Sequence, residues 1–271
     1  MIVVIKIGGA AGINQNLTGL ANDLKSLVDA GNQILLIHGG SAEVDALGER
    51  LGVPMRYITS PSGVRSRYTD SATMEVFIMA MAGRVNTELV RQLQVVGVKA
   101  VGITAISGGM FYGERKTAIR SVEGSKVKLI RDDLSATLTS VDTALVEHLL
   151  AGGYLPVVCP LVLAQGGEVC NIDADRAAAA LATALRADQL ILLSNVPGLL
   201  EDVSNPSSLI RCIRVGEAES YEEIASAGMK KKLAAAVAAV RSGVKRAVIA
   251  DGRVEAPATR AIRSEGTVVT P

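Results

Sequence analysis

The chain has 271 residues, 49% of them hydrophobic and 20% charged, which suits one large α/β domain or two lobes sharing a sheet, with an ample core. Its 28 lysines and arginines nearly cancel its 27 aspartates and glutamates, so no global field argues for nucleic acid or a membrane surface as partner. The three cysteines, Cys159, Cys170 and Cys212, lie far apart without a CxxC pair, which argues against a zinc site or a disulfide framework and for buried thiols in a reducing cytoplasm.

The first predicted element is the strand IVVIKI, residues 2–7, running into Gly8 and Gly9 in the motif IVVIKIGGAAG. It has no basic leader or cleavage site, and no apolar run in the chain approaches the about 20 residues of a membrane span, so a soluble, cytoplasmic protein is expected. The motif suggests a phosphate loop, yet Lys6 precedes the glycines and neither GxxxxGKS/T nor GxGxxG is matched. A second strand, QILLIHGG, ends in Gly39, Gly40 and Ser41; His38 before them is expected to bond the loop backbone rather than to catalyse. With only His38 and His148 and no GxSxG, a Ser-His-Asp hydrolase is poorly supported.

Residues 71–95 place Met74, Phe77, Ile78, Met81, Val85 and Leu89 at helical spacing after caps in Asp70 and Ser71, a long helix facing either the core or a dimer partner. Residues 115–131 (RKTAIRSVEGSKVKLIR) carry six basic residues against the single acid Glu123, in a chain of net charge +1. An exposed β-hairpin explains them, and with Arg56, Arg65 and Arg67 so does a docking surface for an acidic protein, the reading favoured here. A soft lobe boundary falls in the AQGGE stretch near Leu163 to Glu168, within a single domain spanning 1–271.

The later elements begin with NIDAD, which sets Asn171, Asp173 and Asp175 at alternate positions before an alanine-rich helix over 174–186; in an extended stretch all three would face one site. The strand QLILLS then leads into Asn195, Val196, Pro197 and Gly198. In AGMKKKLAAA, Gly228 introduces three lysines opening a helix over about 229–243, an unfavourable place for cations unless an anion compensates. Continuous apolar strands alternating with helices indicate a three-layer αβα sandwich with a mainly parallel central sheet, whose glycine-ended strands share one crevice.

KIGG, HGGS, NIDAD, LLSNVPGLL and GMKKK, in that order and spacing, resemble the amino acid kinase family, specifically its acetylglutamate kinase branch. The resemblance implies that ATP, with Mg, phosphorylates a side-chain carboxylate to an acyl phosphate, residues 1–165 binding the carboxylate substrate and 166–271 binding ATP. It implies that Lys6 and Lys232 stabilise the phosphoryl group in transfer, that Asp175 organises both lysines, and that Gly9 and Gly40 donate backbone N–H groups. It further implies an amino-acid clamp from Arg65 and Asn171 beside Gly40 and Ser41. Nucleotide contacts are implied for Lys6, Gly8, Gly9, Lys232, Asn195, Val196, Pro197, Gly198, Leu199, Leu200 and the stretch 224–227, with a homodimer formed through 71–95. No metal-ligating side chain is assigned.

Two departures matter. HGGSAE replaces the usual HGGGP, and TSPSGVRSRYTD is longer and more basic than the usual turn. Both resemble the lysine-biosynthesis kinases that act on α-aminoadipate, some also on glutamate for arginine synthesis, tethered to the small acidic carrier protein LysW. Arg67, Arg115, Lys116, Arg120, Lys126 and Lys128 are the implied docking residues. An ordinary acetylglutamate kinase is the nearest rival, and a noncatalytic amino-acid or nucleotide sensor on the same fold is the alternative of another class. A dinucleotide dehydrogenase is more distant, because no GxGxxG follows the first strand.

Overall fold

The computed structural model describes residues 1–9, 16–61, 63, 65–124 and 126–271. The end of IVVIKIGGAAG, from Ala10, therefore lies outside the described residues, as do Ser62 and Val64 before Arg65 and Ser125 in the basic stretch. The strands in chain order are β1 (Ile2–Ile7), β2 (Gln33–His38), β3 (Arg56–Thr59), β4 (Arg65–Tyr68), β5 (Ala100–Thr104), β6 (Phe111–Arg115), β7 (Ile119–Glu123) and β8 (Lys126–Ile130). They continue as β9 (Ala136–Val141), β10 (Leu155–Cys159), β11 (Leu161–Ala164), β12 (Val169–Asn171), β13 (Gln189–Ser194), β14 (Cys212–Arg214), β15 (Arg246–Asp251) and β16 (Thr267–Thr270). The helices are α1 (Leu17–Asp29), α2 (Ser41–Arg50), α3 (Ser71–Ile78), α4 (Asn86–Val95), α5 (Ala144–Ala151), α6 (Ala174–Ala184), α7 (Ala227–Arg241) and α8 (Pro257–Ile262).

Eight strands form the central sheet in the order β14-β16-β15-β13-β1-β2-β10-β5, parallel except where β15 meets β16. The alternation of apolar runs and helices made this three-layer α/β fold legible in advance. Because the chain leaves β1 toward β2 and later adds β13 on the other side of β1, the strand order reverses there, and the carboxyl ends of β1 and β13 border a crevice.

The period of two along β1 decides what faces that crevice. Val3, Ile5 and Ile7 pack into the core with α1, α4 and α8, whereas Val4 packs on the opposite face with α6 and α7. Each such buried aliphatic side chain contributes about 1.5–3 kcal/mol. Lys6 shares the face of Val4, and its buried stem therefore directs the ammonium toward α6 and α7.

The predicted helix over 71–95 is not one regular α-helix: α3 passes into a π-helix at Met79–Val85 before α4 resumes. Met74, Phe77, Met81, Val85 and Leu89 are buried as their spacing implies, and Ile78 is half-buried. Asn86 opens α4 three and seven residues before the buried Leu89 and Leu93, which places it on the same inward face. A Cβ on Gly102 of β5 would strike Asn86 Oδ1 and come within 3.0 Å of Val90 Cγ2. Gly102→Ala is expected to destabilise the fold by about 1–3 kcal/mol, measured by urea unfolding.

Smaller sheets stand beside this framework. β12-β11-β6-β9 form one, and β3–β4 and β7–β8 are antiparallel hairpins. The basic stretch lies mainly on the β7–β8 hairpin, with Arg115 closing β6. No helix among the described residues is long and apolar enough to cross a membrane.

Candidate active site

At the crevice, Lys6 Nζ lies 2.7 Å from Asp175 Oδ1 and Lys232 Nζ lies 2.8 Å from Asp175 Oδ2. Local structure sets this geometry. Asp173 caps α6, its carboxylate accepting from the N–H groups of Asp175 at 3.0 Å and Arg176 at 3.2 Å, so Asp175 is held in the first helical turn. Ser226 caps α7, accepting from Met229 N at 3.4 Å, and Lys232 projects from the following turn.

The NIDAD residues thus leave the extended register. Asn171 ends β12, Asp173 is the cap and Asp175 is already helical, so only Asp175 joins the lysines. Asn171 instead donates from Nδ2 to Thr69 Oγ1 at 3.4 Å, and Asp173 lies 3.7 Å from Lys231.

Electrostatics in the triad are set by burial. Desolvation pulls the Lys6 ammonium below its ordinary value, Asp175 opposes that, and the nearby Lys232 charge adds to the lowering. Burial alone would raise the Asp175 carboxyl, but the two ammonium groups hold it below the usual carboxylate range. Asp175 Oδ1 accepts no well-aligned hydrogen bond despite its close approach to Lys6, so that contact is chiefly Coulombic. Two cations on one carboxylate leave a local positive excess, an environment suited to a phosphate.

The glycine loops complete the wall. Gly8 N–H donates to Leu193 O at 3.0 Å and Gly39 N–H to Ile7 O at 2.8 Å, tying the ends of β1, β2 and β13 together. Gly8 therefore lines the cavity while its own N–H is spent on the sheet. The N–H groups of Gly9, Gly40 and Ser41 have no acceptor among the described residues. They cluster where the loop after β1 meets the start of α2, an arrangement that favours anions.

These elements enclose a cavity of about 300 Å³. Lys6, Gly8, Gly9, Ser41 and Lys232 line one part; Ser194, Asn195, Val196, Ser226, Gly228 and Met229 line the rest. Of the expected nucleotide loop, Asn195 and Val196 reach the cavity and Pro197 to Leu200 do not. Gly198 sits at φ 154° with Thr267 N close to where a Cβ would stand, and Leu199 N–H donates to Thr267 Oγ1 at 2.8 Å. Leu199 and Leu200 are core residues that anchor the loop from behind. Ser194 escaped the sequence reading because it closes a buried apolar strand and carries no glycine signal.

The expected amino-acid clamp is divided. Ser41 lines the cavity and donates from Oγ to Gly9 O at 3.3 Å, but neither Arg65 nor Asn171 lines it. The Arg65 guanidinium is stacked 4.2 Å from the Tyr57 ring centroid. One docking assignment also needs correction. Arg67 is buried, ion-paired with Asp45 at 2.6 Å and donating to Ser41 O at 3.3 Å, so α2 covers it, whereas Arg65, on the same face at the start of β4, stays exposed. Arg115, on the wall of the groove between the β3–β4 and β7–β8 hairpins, donates from its guanidinium to Asp133 O and Arg131 O, both at 3.0 Å, and so also braces a turn there.

Lys116, Arg120, Lys126 and Lys128 are exposed, with Lys128 paired to Glu123. Beside them a second groove, of about 630 Å³, runs between the two hairpins. Arg56, Tyr57 and Tyr68 form one bank, and Leu129, Arg131 and Asp132 the other. Sequence reading found the charges of this face and missed its aromatic bank, because two tyrosines on short strands look like ordinary strand residues.

The sequence model of the amino acid kinase family matches residues 1–251. A Thermus thermophilus protein named LysW-aminoadipate kinase is 47% identical over 270 residues, covering 99% of this chain and all of its own length, 100%. A Deinococcus radiodurans protein of the same name is 46% identical over 269 residues, covering 99% of this chain and 91% of its own. Among solved structures, smu.665 from Streptococcus mutans superposes with a TM-score of 0.79 at 25% identity, covering 99% of this chain and 98% of that one.

Proposed function

Since the chain belongs to the amino acid kinase family, we propose that it transfers the γ-phosphoryl group of ATP to the side-chain carboxylate of α-aminoadipate carried on the protein LysW. The product is an acyl phosphate on the route to lysine. The observation that carries the chemistry is the Lys6–Asp175–Lys232 triad, two ammonium groups held by one carboxylate at the mouth of the crevice. The relatives' shared name carries the acceptor.

The site's residues account for the reaction without a general base, since a carboxylate is already a nucleophile. Phosphoryl transfer demands positioning and charge stabilisation. Lys6 and Lys232 neutralise the equatorial oxygens of the group in transfer, Asp175 fixes the direction of both ammonium groups, and the N–H groups of Gly9 and Gly40 supply further donors. Ser41 borders the acceptor carboxylate. In this reading residues 1–165 present the acceptor and 166–271 the nucleotide, with Asn195, Val196 and Ser226 along the ATP. Among the described residues no group of three or more His, Cys, Asp or Glu is placed to hold a metal. Mg is therefore assigned to phosphate oxygens and water, its common mode with nucleotides.

The carrier is assigned to the groove between the hairpins, lined by Arg56, Arg115 and Arg131, with the exposed Lys116, Arg120, Lys126 and Lys128 beside it to attract an acidic surface. Arg120→Glu combined with Lys126→Glu is expected to raise KM for the carrier substrate about tenfold, the equivalent of about 1.4 kcal/mol drawn from several exposed pairs worth about 0.2–1 kcal/mol each. The KM for ATP should stay unchanged, and raising salt should erase the difference between variant and wild type. A cytoplasmic homodimer through 71–95 belongs to the same reading, and sedimentation tests it at the exposed Met79.

The deciding experiment incubates the protein with ATP and, separately, carrier-bound aminoadipate, carrier-bound glutamate and free acetylglutamate, trapping acyl phosphate with hydroxylamine. Carrier-bound aminoadipate should be preferred. Equal turnover of free acetylglutamate would make the chain an ordinary acetylglutamate kinase, and absence of transfer to any acceptor would favour a sensor.

A further inference from the structure

His38 is buried behind the crevice on the face of β2 that carries Ile34 and Leu36, opposite α4. Its Nδ1 lies 3.0 Å from Gly39 O, and its Nε2 lies 3.1 Å from Asn86 Nδ2. The same Asn86 nitrogen donates to Val157 O at 2.9 Å.

These contacts permit one arrangement of protons. Val157 O only accepts, so the Asn86 amide must turn its NH2 toward it, and the second N–H of that group points at His38 Nε2. Nε2 must then be bare. Gly39 O also only accepts, so the single ring proton belongs on Nδ1. A doubly protonated ring would set an N–H against the Asn86 NH2, in keeping with a His38 pKa pushed down to about 4 by burial.

The consequence lies one atom further on. The Gly39 carbonyl and the Gly40 N–H belong to the same planar peptide unit and point in opposite directions. A peptide between two glycines rotates more readily than any other. We propose that His38, held in its Nδ1–H form by Asn86, is a positioning residue that pins the Gly39–Gly40 peptide so that the Gly40 N–H faces the phosphoryl group in transfer. This rests on the kinase reading of the cavity. The histidine of HGGS thereby acts through its hydrogen bond to the loop and touches neither substrate. Helix α4 supplies the other end of the chain of bonds, because Asn86 shares its buried face with Leu89 and Leu93.

Asparagine and glutamine separate the two ring positions, since the Asn amide reaches the place of Nδ1 and the Gln amide that of Nε2. His38→Asn should keep kcat within about tenfold of wild type, whereas His38→Gln and His38→Phe should lose about 10²-fold, the scale of one missing oxyanion donor, with both KM values little changed. Equal kcat for the Asn and Gln variants, or a Phe variant within threefold of wild type, would overturn the proposal. Should the Phe variant fail to fold, the Asn and Gln pair still decides. Nitrogen-15 NMR of the wild type, assigned with His148→Gln because the chain has 2 histidines, should show His38 protonated on Nδ1 alone. Protonation on Nε2 would sink the proposal whatever the acceptor, whereas a wild type that phosphorylates nothing would sink the function reading instead.

Discussion

Lys6→Ala is expected to lower kcat by about 10²–10³-fold while KM for ATP and for the acceptor change little, because the lost ammonium acts on charge that develops during transfer. The choice of residue matters. Lys6, Lys232 and Asp175 together carry one excess positive charge, so removing Lys6 leaves a neutral Lys232–Asp175 pair at 2.8 Å and the fold should tolerate it. Removing Asp175 would strand two neighbouring cations without their shared partner, and breaking a buried pair this way costs about 3–5 kcal/mol. Loss of activity in an Asp175 variant would therefore mix chemistry with stability. Steady-state kinetics on Lys6→Ala, with thermal unfolding as control, isolates the chemistry. An unchanged kcat would remove the triad from the mechanism.

Gly9→Ala should be nearly as damaging for a different reason. A Cβ at Gly9 would stand 2.6 Å from Ser41 N and 2.8 Å from Gly40 Cα, both backbone atoms, so no side chain rotation relieves the conflict. The two donor loops must separate, and a displacement of about 1 Å in a positioning group costs on the order of 10²-fold in rate. Turnover should fall on that scale with the chain still folded, seen by activity beside circular dichroism. Gly31→Ala, at a φ of 81° with open space around it, provides the comparison: backbone strain distant from the site, and activity retained.

What the sequence made legible follows the physics of each element. The sheet was readable because strands buried on both faces are written as continuous aliphatic runs ending in glycine. Lys6 and Lys232 stood out as charges where charge is costly, one within an apolar strand and one near a helix N-terminus. Asp175 was flagged with Asn171 and Asp173 by alternation, but the helix begins at Ala174 and the alternation ends there. Arg65 and Arg67 show the reverse failure: they share one face of β4 and look alike in sequence, and only the Asp45 and Ser41 partners on α2 bury Arg67. In the loop after Val196, Leu199 and Leu200 turn into the core behind the cavity, a burial that the motif alone does not reveal. Asn86 was passed over although it stands three and seven residues before Leu89 and Leu93 on the buried face of α4, because a lone polar residue in an apolar stripe marks no motif.

The position of β1 has a consequence for how the protein is made. β1 is synthesised first and can pair with β2 within some thirty residues, yet its other edge waits for β13, and Ile2 N–H finally reaches Asp188 Oδ2 across 186 residues of chain. Until then the nascent protein presents an unpaired parallel edge that is aliphatic but for Lys6, the kind of surface that recruits neighbouring chains. Such late, long-range closure slows folding more than it affects final stability. Lys6 meets Asp175 only once that closure has begun and Lys232 only after α7 has emerged, so the ability to transfer phosphate reports on completion of the fold.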